Sequence, residues 1–335
     1  MERRLLLMNT YIPKVIATAT EQTPVDQGSI EEIVSDAASF EVVPWVGWEN
    51  QGSEELAERL AESAALLIRT GIVDSRLLQK CKHLEIITLH GAGTDQVDVA
   101  AAKELGITVT NVPGGNARSV AEMTLGLVLS LLRNIASAHS VLVREQDWST
   151  ARQTGREIRG LKWGLVGMGH TGRETAQLAR SVGCQIAYHD PHLKKSDRES
   201  LPAGWEAMSF SDLLSSSDII SIHVPLNQQT HHLIDDKALS EMKSSAYLVN
   251  VSRGGVVDQV AATGAAHRGE ISGVALDVFD PEPLTEDDIQ MLKGPRVLLT
   301  PHLAGSTKEC LTAIAREAAC DIKRVLQGES PLNAV

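Results

Sequence analysis

Aromatic side chains are scarce: Phe, Trp and Tyr together are 3% of 335 residues. The cores must therefore be built from Leu, Val, Ile and Ala, and an aromatic platform for stacking nucleic-acid bases is not expected. Excess positive charge is also missing. Asp and Glu number 43 against 31 Lys and Arg, a net charge of -12 with no block of one sign, which argues against nucleic acid or an anionic membrane as the main partner. Cysteine is sparse and dispersed. Cys81, Cys184, Cys310 and Cys320 form no CxxC pair and have no histidine at zinc-ligand spacing, so the expectation is free thiols in a reducing compartment and no metal. No stretch reaches the roughly 18 uninterrupted apolar residues of a membrane span. Arg3 and Arg4 precede only the short apolar run Leu5 to Met8, too short for a secretory signal. A cytoplasmic protein is expected.

What the chain does contain is 43% apolar and 22% charged residues, the balance of a globular protein long enough for two domains. Strand and helix patterns alternate over the first 110 or so residues, with strands at 14–18, 40–43, 65–68, 84–90 and 107–112. That alternation predicts a small parallel-sheet α/β domain. Residues 117–147 read as one long helix, apolar on two stripes, which must be covered on more than one side. Six further strands are expected at 163–166, 185–189, 218–223, 246–251, 273–278 and 297–300, and a last helix over 308–326.

The second region opens on LKWGLVGMGHTGRETAQLARSVGCQIAYHD, residues 161–190. A strand pattern runs into Gly167, Gly169 and Gly172 at GxGxxG spacing, then a helix, a second strand and Asp190, 18 residues past Gly172. Each part has a task in holding a dinucleotide. Gly167 permits the turn, Gly169 admits the pyrophosphate, Gly172 packs helix on strand, and an acid about 20 residues on bonds the ribose hydroxyls. The helix N-terminus offers free N–H groups to the phosphates. A carboxylate at that position favours NAD over NADP, although His192, Lys194 and Lys195 lie nearby.

Three later strands end in polar residues. NVSRGG carries Arg253, LDVFDPEP carries Asp277 and Glu282, and TPHLAG carries His302. A guanidinium grips a carboxylate or carbonyl oxygen with a planar fork. An imidazole takes or returns a proton near neutral pH, and a neighbouring carboxylate orients it and favours its charged form. Together Arg253, Glu282 and His302 suit the oxidation of an alcohol beside a carboxylate. In the first region Arg69 follows the apolar strand AALLI and precedes Thr70 and Gly71. It is expected at a strand's carboxyl end as a contact for the substrate's side chain, with His90 a second candidate; pairing of Arg69 with an acid of its own domain is the alternative.

From about Ala65 to Thr307 the chain resembles the D-isomer-specific 2-hydroxyacid dehydrogenases, the family of phosphoglycerate dehydrogenases and glyoxylate or hydroxypyruvate reductases. The runs that carry the resemblance are HGAGTDQVD, NARSVAE, GLVGMGHTG, YHDP, HVPL, NVSRGG, LDVFDPEP and TPHLAG. The resemblance implies an α/β fold of two Rossmann-like doubly wound parallel-sheet domains, with the cofactor domain (113–305) inserted in the substrate domain (1–112 and 306–335). It implies hydride transfer between NAD(H) and a small D-2-hydroxy or 2-oxo acid, with Arg253, Glu282 and His302 as the catalytic trio. Gly91, Ala92 and Gly93 would offer N–H groups to the substrate carboxylate, and His170 and Thr171 would touch the pyrophosphate. His223, Val224, Pro225, Val251 and Ser252 would line the cofactor, and Asp277 would hold the nicotinamide amide. The helix at 117–147 would form a homodimer interface.

A departure from the family pattern is a looser segment after Arg253, where Gly264 costs roughly 1 kcal/mol relative to alanine in mid-helix; serine feedback through a regulatory domain after residue 335 is not expected. Formate dehydrogenases share the fold but carry glutamine where Glu282 stands. Phosphite oxidation on the same trio, and an NAD-sensing corepressor of transcription, are the alternative readings.

Overall fold

The computed structural model describes residues 12–45 and 53–335. The runs Leu5 to Met8 and Val46 to Gly52 lie outside the described residues. The chain divides into two compact units, residues 1–116 with 307–335, and 117–306.

In the first unit β1 (Lys14–Thr18), α1 (Gln27–Val34), β2 (Ser39–Val43), α2 (Ser53–Leu60), β3 (Ala65–Ile68), α3 (Ser75–Leu78), β4 (Ile86–Leu89), α4 (Val99–Glu104) and β5 (Thr108–Thr110) alternate along the chain. The sheet is parallel in the order β2-β1-β3-β4-β5. Parallel strands covered on both faces are apolar at every position, and β3 and β4 are buried throughout. Alternate residues feed opposite faces. Ile16, Leu66 and Ile87 join one core, and Val15, Ala17, Ala65, Leu67 and Ile86 the other. Strand order reverses between β1 and β3, and ligands of open α/β sheets bind at the carboxyl ends of strands at such a point.

The second unit begins with α5 (Ala117–Leu132), α6 (Ile135–Arg144) and α7 (Trp148–Ala151). The single helix expected over 117–147 is therefore corrected to three, with a 61° bend between α5 and α6. The cause is local. The Leu132 carbonyl accepts from Arg156 N–H at 2.8 Å instead of from the next helical turn, and Asn134 sits at φ 54°, a left-handed conformation that asparagine tolerates better than most residues. Among the described residues no single helix is long and apolar enough to cross a membrane; only the bent pair α5 and α6 together has that length and composition.

There follow β6 (Lys162–Val166), α8 (His170–Ser181), β7 (Gln185–His189), α9 (Lys195–Glu199), β8 (Glu206–Ala207), α10 (Phe210–Ser216), β9 (Ile219–Ile222), α11 (Asp236–Glu241), β10 (Tyr247–Asn250), α12 (Gln259–Arg268), β11 (Gly273–Leu276), α13 (Glu286–Leu292) and β12 (Val297–Leu299). The sheet has seven strands in the order β12-β11-β10-β9-β6-β7-β8, one more than expected. The addition, β8, is two exposed residues paired with Ala187 and Tyr188 at the edge. The order reverses between β6 and β9, the doubly wound arrangement. Asp258 caps α12 by accepting from Val260 and Ala261 N–H, so that helix forms despite Gly264.

The chain's last helix, α14 (Lys308–Leu326), packs in the first unit beside α1. Thr312 donates to Asp26 at 2.6 Å, and Arg316–Glu32 and Lys323–Asp36 pair along the same contact. Buried Asp321 then accepts from Leu332 and Asn333 N–H and fixes the tail against β5, where Thr110 bridges Ala334.

Candidate active site

The glycine loop lies at the switch point of the second sheet. Gly167 has φ 97°, and a Cβ there would sit 2.7 Å from the His223 carbonyl oxygen. A Cβ on Gly172 would come within 2.2 Å of the Gly167 carbonyl oxygen, so only glycine lets α8 start this close to β6. Above Gly169 there is open space within 4 Å. No side chain caps the N-terminus of α8, which begins at His170, so its leading N–H groups, including those of His170 and Thr171, present a positive end to that space. Asp190, at the end of β7, accepts from Met168 N–H at 2.8 Å and His192 N–H at 2.9 Å. A cavity of about 280 Å³ beside it is lined by Tyr188, His189, Asp190, Pro191, Arg198, Ala207 and Met208. Space over the loop, an uncapped helix end and an acid beside a cavity fit a dinucleotide.

At the next strand end, Trp163 Nε1 donates to Ser221 Oγ, which also bonds His223 Nε2 at 2.8 Å. His223 Nδ1 is buried without a partner, and burial pushes this imidazole down to about 3. Val224 and Pro225 continue from it, Val224 with a methyl group close to Gly167.

Arg253, Glu282 and His302 are brought together by β10, β11 and β12, three neighbouring parallel strands. After β10, Asn250 turns the chain: its Oδ1 accepts from Ser252 N–H and its Nδ2 donates to the Arg253 carbonyl. Val251 is buried at this turn. Gly254 follows because a Cβ there would lie 1.9 Å from the Phe279 backbone, and the spacing of NVSRGG gave no hint of that contact. Glu282 is pinned at both oxygens. Oε1 accepts from Phe279 N–H at 2.8 Å and Oε2 lies 2.8 Å from His302 Nδ1. Burial alone would raise the Glu282 carboxyl. The His302 bond and charge, the Phe279 N–H and the nearby Arg253 charge outweigh it and hold the group below the usual carboxylate range. An ionised Glu282 fixes the proton of neutral His302 on Nδ1 and leaves Nε2 as the exchanging atom.

Asp277 is fully buried at the end of β11. Oδ1 accepts from Thr300 Oγ1 at 2.6 Å and Leu303 N–H at 2.9 Å, and Oδ2 accepts from Ala304 N–H at 2.8 Å. Its carbonyl accepts from His302 N–H at 2.8 Å. The residue expected at the nicotinamide amide is also bound into the histidine loop, a network between positions 23 to 27 residues apart that no short motif reveals.

In the first unit Arg69 and His90 follow adjacent strands, β3 and β4, with Arg69 at the switch point. The Arg69 backbone donates to Thr18 and the His90 backbone to Ile68. Arg69 Nε and both ring nitrogens of His90 are buried without hydrogen-bond partners, and no acid among the described residues pairs with Arg69. Burial lowers the Arg69 guanidinium from its ordinary value, partly offset by Cys310. Burial, with the Arg69 charge second, pushes His90 down to about 3. In the adjoining loop Gly91 N–H donates to the Leu89 carbonyl and Asn111 Nδ2 holds the Ala92 carbonyl. The Ala92 and Gly93 amides are therefore better placed to serve a ligand than that of Gly91. The described residues contain no group of three His, Cys, Asp or Glu side chains able to hold a metal ion.

Comparison with known proteins agrees with this geometry. The family model "D-isomer specific 2-hydroxyacid dehydrogenase, NAD binding domain" matches residues 125–304. A glyoxylate reductase of Thermofilum pendens is 38% identical over 282 residues, 83% of each chain. A D-3-phosphoglycerate dehydrogenase of Methanocaldococcus jannaschii is 37% identical over 284 residues, 84% of this chain but 53% of that protein, so the chain spans about half its length. A solved glyoxylate reductase from Paecilomyes thermophila superposes with a TM-score of 0.83 at 27% identity, covering 97% of this chain and 99% of that one.

Proposed function

Because the chain belongs to the D-isomer specific 2-hydroxyacid dehydrogenase family, we propose that its chemistry is carried by Arg253, Glu282 and His302. The protein is an NAD-dependent oxidoreductase acting between a small D-2-hydroxy acid and the matching 2-oxo acid. The observation that carries the residue assignment is the 2.8 Å contact of His302 with a Glu282 carboxylate itself held by Phe279.

Bound nicotinamide cofactor supplies the hydride for reduction and accepts it in oxidation. Arg253 grips the substrate carboxylate and polarises the carbonyl. His302 gives its Nε2 proton to the carbonyl oxygen in reduction and removes the hydroxyl proton in oxidation. Glu282 keeps the ring oriented and balances the imidazolium charge. The cofactor would be held by Gly167, Gly169, His170, Thr171 and Gly172 at its phosphates and by Asp190 at the ribose, with His223, Val224, Pro225, Val251 and Ser252 along it. Asp190 disfavours a 2'-phosphate, so NAD is preferred over NADP. Ala92 and Gly93 would add N–H groups to the substrate carboxylate, and Arg69 with His90 would meet its side chain.

Turnover of a panel of 2-oxo acids with NADH and NADPH tests the reading. Reduction of several with a kcat/KM at least tenfold higher for NADH is expected. Absence of turnover on every acid would remove the enzyme assignment, and equal values for the two cofactors would remove the role of Asp190.

The protein is further proposed to be a cytoplasmic homodimer. The free cysteines suit a reducing compartment. No residue of α6 is buried, and Ile135, Leu142, Val143 and, on α7, Trp148 leave an apolar face exposed, which a second copy would cover. A monomer in sedimentation at micromolar concentration would exclude this.

A further inference from the structure

Asp190 shares the cavity beside it with a cation. Arg198, on α9, lies on the wall of the same space of about 280 Å³. That short helix is tied back to the glycine loop. Asp197, its preceding residue, lies 3.9 Å from Arg173 Nη2 on α8, and Arg173 Nε donates to the Met168 carbonyl at 3.0 Å. Met168 N–H in turn donates to Asp190. A chain of contacts from Asp190 through Met168 and Arg173 to Asp197 therefore holds Arg198 in place beside the cavity.

The Arg198 residue is exposed, and among the described residues its guanidinium has no hydrogen bond or ion pair. An unpaired planar fork on the wall of a polar cavity matches the geometry of a phosphate group. The other cations of this segment are placed differently. Lys195 has an 89% exposed side chain and pairs with Glu199 at 3.8 Å, and Lys194 and His192 do not line the cavity. Asp190 acts in the opposite sense. Each of its oxygens accepts one backbone N–H, which leaves lone pairs for ribose hydroxyls and sets a negative charge against any phosphate esterified there.

We propose that Arg198 is a specificity-determining residue that recognises a phosphate on the adenosine ribose, so that use of NADPH, held below that of NADH by Asp190, runs through the guanidinium on α9. This rests on the dinucleotide reading given above and adds the charge that opposes Asp190. Asp190 lowers the affinity for the phosphorylated ribose and Arg198 restores part of it, so the two residues together set the ratio between the cofactors.

The probes are ADP and ADP carrying a 2'-phosphate, titrated calorimetrically into the cofactor-free enzyme. The quantity read is the ratio of their Kd values, phosphorylated over plain. Arg198→Met should raise that ratio at least fivefold, and Arg198→Lys, which keeps the charge but loses the fork, should raise it less. Asp190→Asn should lower the ratio at least fivefold, and Arg198→Met should raise it again in that background. In turnover, kcat/KM for NADPH divided by that for NADH should fall at least fivefold in Arg198→Met. The proposal is overturned if Arg198→Met leaves the ratio of Kd values at its wild-type level, which is the result expected of a guanidinium that stacks on the adenine and serves both probes alike. Failure of the wild type to bind ADP at all would instead remove the dinucleotide reading, and this proposal with it.

Discussion

Glu282 Oε2 and His302 Nδ1 meet at 2.8 Å although 20 residues separate them in the chain. They come from the ends of β11 and β12, neighbouring strands in parallel register, so the sheet sets their distance. Because Glu282 is held below the ordinary carboxylate range, it is ionised at neutral pH. Its negative charge therefore faces the ring in both protonation states and favours the protonated one.

Glu282→Gln should for that reason shift the pH dependence of reduction. Reduction requires the proton on His302, and loss of the facing charge makes that state harder to reach. The rate profile of reduction should move to lower pH, while oxidation, which needs the neutral ring, should retain activity to lower pH. A kcat/KM profile in each direction measures this; an unchanged profile would leave Glu282 only a structural role.

Arg69 poses a different balance. A half-buried guanidinium whose Nε is buried without a partner is costly to the fold, and its persistence points to a ligand group that pairs with it. Arg69→Met should raise the thermal midpoint, reflecting a gain of about 1 kcal/mol or more, while raising KM at least tenfold for the best substrate. KM for glyoxylate, which has no side chain to contact, should change less than threefold. An equal loss on both substrates would place Arg69 at the shared carboxylate or in the fold itself, and a fall in the midpoint would count against the unpaired charge.

Much of this was legible in the sequence, for identifiable reasons. Central parallel strands are apolar at every position, so β3, β4, β9 and β10 stand out from their flanking polar turns. Gly167, Gly169 and Gly172 are required by backbone geometry, which makes their spacing informative. Arg253, Glu282 and His302 stood out because parallel strands deliver the residues that follow them to one end of a sheet. What could not be read depends on distant partners. The break at Asn134 needs Arg156 to take the Leu132 carbonyl. β8 exists only because β7 offers an edge to two exposed residues. The engagement of Asp277 with the histidine loop, and the isolation of His90, follow from packing that no local pattern encodes.

His90 and His223 make the protein's acid sensitivity predictable. Burial holds both at about 3, against about 6.5 for an exposed imidazole. Between those values the unfolded chain binds a proton at each site and the folded chain does not. Stability therefore falls as pH drops below about 6.5, by about 1.4 kcal/mol per unit for each histidine, and levels off only near pH 3. At pH 5 the two together should cost about 4 kcal/mol relative to pH 7. Depressed carboxylates such as Asp26, Asp74 and Glu282 also lose stabilisation on acidification. Their contribution is present above the unfolded carboxylate value of roughly 4 and is lost as pH falls through their lower folded values, so it does not overlap the window from pH 6.5 to 5. In that window the slope belongs to buried imidazoles, and His90→Met should remove the share of one of them, about half of what these two contribute. Chemical denaturation of both proteins between pH 7 and pH 5 measures that slope. If His90→Met lost stability with acid as steeply as the wild type, His90 would have to be protonated in the folded state, and the first unit would need a counter-ion for it that the described residues do not provide.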